Sequence, residues 1–492
     1  MSMLENYFNS FRNNIIGIDQ TFDSPWGIKK IVYADWTASG RMYGPIESML
    51  ADKIAPFVAN THTETNFTGS TMTKAYHEAK HIIKNHVGAD ENDVLICSDS
   101  GMTGVVNKLQ RILGVRLHEK FREKYPLDEE ERPVVFITHM EHHSNQTSWL
   151  ETTAIVEIIQ ADENGLVDLS HFATLLDKHK HRKLKIAAVT SCSNVTGIYS
   201  PYYRIAGMIH RYGGYCFVDF ACSAPYIDIN MHPENNQEYL DAIYFSPHKF
   251  LGGPSSAGVL VFNKYLYSNK VPDNPGGGTV DWTNPWGEHK YYDEVEARED
   301  GGTPAFLQTI RIAYCILLKE KMGTGNILQR EEELLQKIWN RLDYIPNLKV
   351  LAGHQKHRLG VISFYIEGLH YNLGVKILND RFGIQMRGGC SCAGTYGHYL
   401  LEVSYEQSKT VTSEISQGIL TNKPGWIRMS IHPVMTDDEI DYILSAINQL
   451  ALHFQEWAKD YMYNPKTNDF KHLNDMEMEE KLVHTWFDPA TL

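Results

Sequence analysis

Features that define membrane, secreted or nucleic-acid-binding proteins are absent from this sequence of 492 residues. No apolar stretch is long enough to cross a bilayer, and the first residues show neither the cationic nor the apolar region of a secretory signal. The formal net charge of −14 comes without a basic block, which argues against nucleic acid or an anionic membrane surface as the partner. The seven cysteines are odd in number and scattered, so we expect reduced thiols and a cytoplasmic protein.

What is present is the composition of a globular protein, with 42% hydrophobic and 22% charged residues. Short apolar runs at residues 93–97, 134–137, 184–190 and 215–219 predict buried strands, and segments of helical period such as 70–86 alternate with them. Polar residues gather where these strands end. The alternation predicts an α/β fold with a large, doubly wound, mostly parallel sheet, whose functional site lies at the carboxyl edge of the strands.

Four regions are predicted along the chain. An N-terminal segment (1–30) precedes a large domain (31–320), which is followed by a smaller α+β domain (321–452) and a C-terminal extension (453–492). Within the large domain, the charged stretch 116–133 is interpreted as a surface insertion. In the small domain, Thr436-Asp-Asp-Glu439 has the spacing of a capping box and predicts the start of the last helix.

One loop organises the rest of the sequence, Ser246-Pro-His-Lys-Phe-Leu-Gly-Gly-Pro254. It joins two apolar runs that both predict core strands, so Lys249 is expected in a tight loop beside a serine and a histidine. Desolvation there would lower the pKa of the lysine and make its amine a nucleophile towards an aldehyde. An ordinary loop lysine is the alternative, and the other motifs of the chain argue against it.

Two further turns carry polar groups after predicted strands. The turn 98–103 lies between a strand and a helix, where free backbone N–H groups suit a phosphate, although such a turn can also simply cap a helix. The run His139-Met-Glu-His-His-Ser-Asn145 holds three histidines, which suggests either a metal site or a stacking platform for a planar ligand. Because further metal ligands are not evident, the platform is preferred and no metal is predicted.

Together and in this order, the motifs resemble those of the class V aminotransferase family of pyridoxal-phosphate enzymes, and within it the cysteine desulfurases and selenocysteine lyases. The resemblance covers most of the chain and implies the type I fold of PLP-dependent transferases. It implies that pyridoxal 5′-phosphate forms a Schiff base with Lys249 and that Asp219 keeps the pyridine nitrogen protonated. The other implied cofactor contacts are stacking by His142, a bond from Asn194 to the ring hydroxyl, and phosphate contacts from Met102, Thr103, Ser246 and His248.

The resemblance also assigns residues to substrate and assembly. Arg428 matches the arginine that binds a substrate α-carboxylate, and Arg387 is assigned to the substrate as well, where it would favour a nearby thiolate. Thr303 matches the threonine that reaches the phosphate of the other subunit, which implies a homodimer. Cys392, five residues after Arg387, would take the sulfur of the substrate as a persulfide.

The sequence departs from the desulfurase pattern in three places, one of which is the length of the 116–133 insertion and of the C-terminal extension; the other two concern cysteines. Cys222 stands where desulfurases usually carry glutamine, and the loop Arg387-Gly-Gly-Cys-Ser-Cys392 holds two cysteines rather than one. The cysteines of this loop could instead be small buried residues or half of a metal site.

Three interpretations of the reaction follow from the resemblance. The first is a lyase that removes sulfur or selenium from an amino acid and leaves alanine, with a sulfur-acceptor protein as a further partner. The second is an aminotransferase or epimerase that acts on another amino acid, in which both loop cysteines are incidental. The third is a non-catalytic PLP-binding scaffold. The complete set of Lys249, Asp219, His142 and Arg428 argues against the third.

Overall fold

The computed structural model describes residues 2–61, 63–98, 100–475 and 477–491. The chain forms two compact units. The large unit comprises Asn14–Ile16 and Thr37–Leu328, and the small unit comprises Met1–Asn13, Gly17–Trp36 and Gln329–Leu492. The division of the sequence into four regions stays a prediction.

A seven-stranded sheet forms the centre of the large unit. In chain order its strands are β1 (Asp93–Ser98), β2 (Val134–Thr138), β3 (Ile155–Ile159), β4 (Lys185–Thr190), β5 (Tyr215–Asp219), β6 (Ala242–Phe245) and β7 (Gly258–Asn263). Across the sheet they lie in the order β1-β7-β6-β5-β4-β2-β3. The neighbours from β6 to β3 pair in parallel, while β7 is antiparallel to both β1 and β6. The predicted mostly parallel α/β sheet is therefore confirmed.

Most strands of this sheet are nearly continuous apolar runs, as expected for a parallel sheet with helices on both faces. Every residue of β2, β4 and β6 is buried. The helices of the large unit are Gly44–Ser48, Phe67–His86, Gly101–Ile112, Glu119–Lys124, His143–Leu150, Leu169–Lys178, Tyr202–His210, Val295–Glu299 and Phe306–Met322, with a π-helical turn at Met49–Ile54 and a small hairpin of Val280–Thr283 with His289–Tyr291. The helix predicted over residues 70–86 is confirmed as Phe67–His86. No residue of the helix Glu119–Lys124, which lies in the predicted surface insertion, is buried.

A four-stranded antiparallel sheet forms the centre of the small unit. Its strands are β8 (Leu348–Val350), β9 (Val361–Ile366), β10 (Arg387–Gly389) and β11 (Trp426–Ser430), and they lie in the order β8-β9-β11-β10. The main helices are Met3–Arg12, Tyr371–Phe382, Gly394–Leu400, Tyr405–Ser416, Asp437–Trp457 and Met478–Trp486, together with Thr324–Leu342, whose first five residues belong to the large unit. The predicted capping box is confirmed, because the Thr436 hydroxyl accepts the backbone N–H of Glu439 and the Glu439 carboxylate accepts that of Thr436.

Short paired strands complete the small unit. Thr21–Ser24 and Gly27–Lys30 form a hairpin, Val32–Tyr33 pairs in parallel with Ile384–Gln385, and Tyr461–Asn464 pairs with Asp469–His472. The last hairpin is tied to the helix Tyr371–Phe382, since the Asn372 side chain donates to the Asn468 carbonyl at 2.6 Å. Across the described residues, every helix is too short or too polar to traverse a bilayer.

Candidate active site

A cavity of about 420 Å³ opens at the carboxyl ends of the central strands of the large unit. Its wall includes Thr190 at the end of β4, Asp219 at the end of β5 and Ser246 directly after β6. Among the residues that the structure describes, the lining comprises Ser100, Gly101, Met102, Thr103, His142, Ser144, Thr190, Cys192, Asn194, Asp219, Ala221, Cys222, Ser246, His248 and Ser256. Seven residues singled out for the cofactor therefore line one cavity: Met102, Thr103, His142, Asn194, Asp219, Ser246 and His248. This is the edge of an open α/β sheet where ligands bind.

One end of the cavity is built to receive an anion. The helix Gly101–Ile112 begins there, and its first N–H groups have no partner within the helix. The Met102 N–H donates to the Ser246 hydroxyl at 2.8 Å, and the hydroxyls of Thr103 and Ser144 lie 2.7 Å apart. Gly101 has φ +60°, and a Cβ there would lie 3.1 Å from the Ser246 hydroxyl, so glycine keeps this end open. Asp99 of the same predicted turn lies outside the described residues.

The cavity wall also carries a buried carboxylate. Asp219 is 3% exposed and accepts the backbone N–H of Ala221 at 2.8 Å. Burial raises the pKa of Asp219 to about 6, while that hydrogen bond and the charge of Lys249 act in the opposite direction. A carboxylate in such surroundings is stabilised by any cation that enters the cavity beside it.

Lys249 lies in a single tight turn, Pro247–Lys249, that follows β6. Its backbone N–H donates to the Ser246 carbonyl at 3.1 Å, and its side chain is half-buried. Gly253 closes the loop, because a Cβ there would lie 2.0 Å from the Pro247 carbonyl oxygen. Burial and the charge of Lys249 lower the pKa of His248 to about 4, so this imidazole is neutral at pH 7. The lysine thus acts electrostatically on both Asp219 and His248.

His142 and Asn194 complete the predicted cofactor set in the cavity wall. His142 caps the helix His143–Leu150, and its Nδ1 accepts the Ser144 N–H at 3.1 Å. Asn194 follows β4 and is buried. Each side chain comes from the loop after a different strand of the sheet. Sequence spacing alone does not show that these two loops are neighbours, because that depends on the order of the strands.

Glu141 is a buried residue to which the sequence motifs gave no role. Its carboxylate accepts the Thr138 hydroxyl at 2.6 Å, the Asn145 amide at 2.8 Å and the Thr190 N–H at 2.9 Å. Burial raises its pKa to about 7, against the effect of these donors. Glu141 therefore ties the ends of β2 and β4 to the helix that His142 caps. The available signal was an acidic residue directly before the histidines, at the end of an apolar strand.

The small unit brings together the two arginines predicted for the substrate. Arg428 on β11 is 2% exposed and stands directly opposite the exposed Arg387 of β10 in the antiparallel register. Asp35 joins them, because its carboxylate accepts Arg428 Nη2 at 2.7 Å and Arg387 Nε at 3.3 Å. Sequence reasoning missed Asp35 as a site residue. Its signal in the sequence is an acidic residue directly after the short apolar run 31–34.

The loop after β10 presents its two cysteines differently. Cys392 is exposed and Cys390 is half-buried. Ser391 and Cys392 both have positive φ, 51° and 57°, a conformation that non-glycine residues rarely adopt. The predicted sulfur acceptor is therefore an exposed thiol on an unusual backbone.

Thr303 is the one residue of the predicted cofactor set in the large unit that neither lines the cavity nor neighbours a lining residue in sequence. It is exposed, directly after Gly302 with φ +88°. The predicted contact between Thr303 and a second subunit stays a prediction.

Comparison with solved structures identifies the fold. A cysteine desulfurase of Thermococcus onnurineus in its apo form matches with a TM-score of 0.72 at 23% identity, over 90% of this chain and 98% of that one. The cysteine desulfurase CsdA of Escherichia coli matches with a TM-score of 0.69 at 20% identity, over 91% of this chain and 98% of that one. These likenesses confirm the type I fold of PLP-dependent transferases.

Sequence comparison identifies the family. The model of the aminotransferase class-V family matches residues 32–443, and the chain belongs to that family. It is 28% identical to a probable cysteine desulfurase of Halalkalibacterium halodurans, over 74% of this chain and 84% of that protein. It is 24% identical to a probable cysteine desulfurase of Staphylococcus aureus, over 90% of this chain and 97% of that protein. The prediction of a class V enzyme is confirmed.

Proposed function

We propose that this enzyme uses pyridoxal 5′-phosphate to remove sulfur from L-cysteine, or selenium from L-selenocysteine, and leaves L-alanine. The observation that carries the proposal is the cavity at the strand ends, where a buried carboxylate and a helix N-terminus suited to an anion lie beside the turn that carries Lys249. The relatives whose names specify a probable cysteine desulfurase support it. The alternative reaction, transamination or epimerisation, becomes an outcome of the test.

The residues of the cavity fit the proposed cofactor in charge and in donor type. The N-terminus of the helix Gly101–Ile112, with Met102, Thr103, Ser246 and His248, would hold the phosphate. Asp219 would accept a hydrogen bond from the protonated nitrogen of the pyridine ring. His142 would stack on this ring, and Asn194 would contact its hydroxyl group. When bound to Lys249, the cofactor supplies an electron sink for the α-carbon of an amino acid.

The charges of the small unit suit an amino-acid substrate. Arg428 and Arg387 carry two positive charges and share one carboxylate, Asp35, so one net positive charge remains for a substrate α-carboxylate. Asp35 also fixes the guanidinium of Arg428, and Trp36 beside it is held by stacking on His432 at 4.3 Å. An arginine oriented in advance loses less conformational entropy when it binds a carboxylate.

The proposed chemistry divides between an amine and a thiol. Lys249 Nζ would take the α-proton of the substrate and return it during formation of alanine. Cys392 Sγ would attack the substrate sulfur, so that an S–S bond forms as the Cβ–S bond breaks. One thiol and one cysteine thereby give one persulfide and one alanine, and no external oxidant is needed. Exposure of Cys392 would let the persulfide pass its sulfur to an acceptor protein.

The decisive experiment is an assay of products. Purified protein supplied with pyridoxal phosphate should be yellow and should form alanine from L-cysteine or L-selenocysteine, with the sulfur on Cys392. Borohydride should fix the cofactor on Lys249 and leave Lys264, an exposed lysine of the same unit, unlabelled. Protein that stays colourless and unlabelled would refute the cofactor. Amino transfer to a keto acid without alanine or persulfide would establish the aminotransferase reading instead.

Assembly as a homodimer and a cytoplasmic location are part of the same proposal. The dimer rests on the match of Thr303, which would donate to a phosphate held by the other subunit. Thr303→Ala should then weaken cofactor retention, because a hydrogen bond to a charged group contributes about 1.5–3 kcal/mol. A strict monomer that retains the cofactor fully would contradict the dimer. The location rests on the seven cysteines, all of which are thiols.

A further inference from the structure

Two cysteines that the proposed reaction does not use meet in the wall of the large-unit cavity. Cys192 follows β4, and Cys222 follows β5. These strands are parallel neighbours whose last residues, Thr190 and Asp219, are in register. Parallel strands lie about 4.8 Å apart, so residues a short step beyond such paired ends are held close together. The Sγ atoms of Cys192 and Cys222 are 4.0 Å apart.

The surrounding hydrogen bonds fix the two loops against each other. The Ser191 N–H donates to the Asp219 carbonyl at 2.9 Å, and the hydroxyls of Ser191 and Ser223 lie 2.6 Å apart. Each thiol also points at the Ser193 carbonyl oxygen, with both Sγ···O distances 3.7 Å. Because both thiols share one acceptor, the two sulfurs converge and form a pair, which we call the cavity pair.

The cavity is the route by which a reagent reaches this pair. Cys192 is 0% and Cys222 4% exposed, and both line the cavity together with Asn194 and Ala221. A molecule that fills the cavity therefore covers the sulfurs, and a change in the sulfurs reshapes the wall that such a molecule contacts.

We propose that the cavity pair is a site of reversible oxidation that competes with ligand binding in the cavity. The oxidant is a peroxide. One thiolate attacks a peroxide oxygen to give a sulfenic acid and water or an alcohol, and the second thiol displaces water from that sulfur. Two thiols are oxidised by two electrons, the O–O bond is reduced, and a disulfide remains. A dithiol restores both thiols by exchange.

Formation of the disulfide has a direct structural consequence. The sulfurs must approach from 4.0 Å to about 2.05 Å, which draws together the loops that carry Asn194 and Ala221. The oxidised wall then no longer has the shape of the reduced one. By linkage, a ligand that prefers the reduced wall protects the thiols to the same degree that oxidation weakens its binding. The identification of this ligand as pyridoxal phosphate rests on the proposed function.

The first arm of the test uses the full chain stripped of cofactor and treated with hydrogen peroxide. Peptide mapping without reduction should recover a crosslinked peptide containing Cys192 and Cys222, and dithiothreitol should remove it. Cys222→Ser and Cys192→Ser should each abolish this peptide. The double variant Cys390→Ala/Cys392→Ala is the matched control and should retain it. Wild-type protein whose cavity thiols remain titratable after peroxide, or pair with other cysteines, would overturn the proposal.

The second arm adds pyridoxal phosphate before the peroxide. At ten times its Kd the cofactor leaves about one-eleventh of the sites open, so crosslinking should slow about tenfold. Oxidised protein should in turn bind less cofactor by absorbance until it is reduced. Cofactor that binds without slowing the crosslink would overturn the competition. If the crosslink forms but pyridoxal phosphate does not bind at all, the result supports the oxidation site and refutes the proposed cofactor.

Discussion

Two sets of cysteines contrast the two units of the molecule: the cavity pair, Cys192 and Cys222, and the loop cysteines, Cys390 and Cys392. The cavity pair is buried, and paired parallel strands and a shared carbonyl hold its sulfurs in place. Cys392 is exposed on a short loop and has a left-handed backbone. The same side chain thus has two roles: it lies in a buried cavity wall in one unit and is presented to solvent in the other. Burial and backbone hydrogen bonding distinguish the two roles, which residue type alone cannot do.

The largest expected effect separates the chemistry of the cavity from that of the loop. Lys249→Ala should lower alanine formation from L-cysteine about 1,000-fold or more, because a positioned proton-transfer group contributes roughly 10²–10⁴-fold and the covalent cofactor bond is lost as well. Alkylation of Cys392 by iodoacetamide should proceed at the wild-type rate, since this exposed thiol is unchanged. Lys264→Ala is the matched control and should keep both properties. Turnover at the wild-type rate in Lys249→Ala would show that the cavity takes no part in the reaction.

A second change tests the loop side of the comparison. Cys392→Ala should reduce alanine formation from L-cysteine at least about a hundredfold, which corresponds to about 2.7 kcal/mol of barrier. The cofactor spectrum should be unchanged, because the cavity residues are intact. Cys390→Ala should retain most of the activity. Alanine formation from L-selenocysteine should fall less than alanine formation from L-cysteine in Cys392→Ala, because selenium leaves more readily than sulfur. Equal loss in both single variants would assign the two thiols a joint role.

The burial of the cavity can be tested by titration in cofactor-free protein. The pKa of Asp219 is raised from its usual value near 4 to about 6, so the folded state binds this proton more tightly than the unfolded state. Its stabilising contribution is therefore present below about pH 4 and is lost as the pH rises towards 6, by up to about 3 kcal/mol. Asp219→Asn should lack this part of the slope in urea unfolding measured from pH 4 to pH 7.

Glu141 contributes a slope of the same sign, since burial raises its pKa to about 7. The quantity to compare is therefore the difference between wild-type protein and Asp219→Asn at each pH, in which the effect of Glu141 cancels except for the part of its pKa rise that the charge of Asp219 causes. A difference that does not change with pH would show that Asp219 is not desolvated as the structure indicates.

The smallest expected effect comes from a comparison of glycine with alanine at one cysteine of each set, Cys392 and Cys222. Cys392 has φ +57°, whereas Cys222 is not among the described residues with positive φ. Glycine adopts the left-handed conformation without a Cβ penalty of roughly 1 kcal/mol, so Cys392→Gly should be more stable locally than Cys392→Ala. Exchange of the Ala393 amide, which donates to the Cys390 carbonyl at 3.0 Å, should slow about fivefold in the glycine variant. At Cys222 the alanine variant should be the more stable of the two, because glycine there only increases the conformational entropy of the unfolded chain.

Much of the fold could be predicted from local pattern. Apolar runs predicted the strands that became β4 and β5, helical period predicted Phe67–His86, and the capping box predicted the start of Asp437–Trp457. The C-terminal extension, residues 453–492, was predicted without any helix or strand, and it contains a hairpin and the helix Met478–Trp486. The hairpin is stabilised by contacts with the helix Tyr371–Phe382, which sequence periodicity does not register.

The candidate site divides in the same way. The motifs around Lys249, Asp219 and His142 could be recognised because each is a short sequence with a distinct chemistry. Glu141, Asp35 and the cavity pair could not, because their roles depend on partners from other elements. Asp35 and Arg428 are separated by 393 residues, and Cys192 and Cys222 by 30.

By itself, the sequence determined the central strands of the large unit and the start of the last long helix, since side-chain period and capping residues act within a few residues. It also carried the motifs that identify the family. Only the tertiary structure decided that Asp35 joins two arginines and that Cys192 and Cys222 meet in one wall of a cavity. The physical reason is that strand order and register determine which loops become neighbours. These depend on the packing of the whole sheet, and no short segment of the chain contains that information.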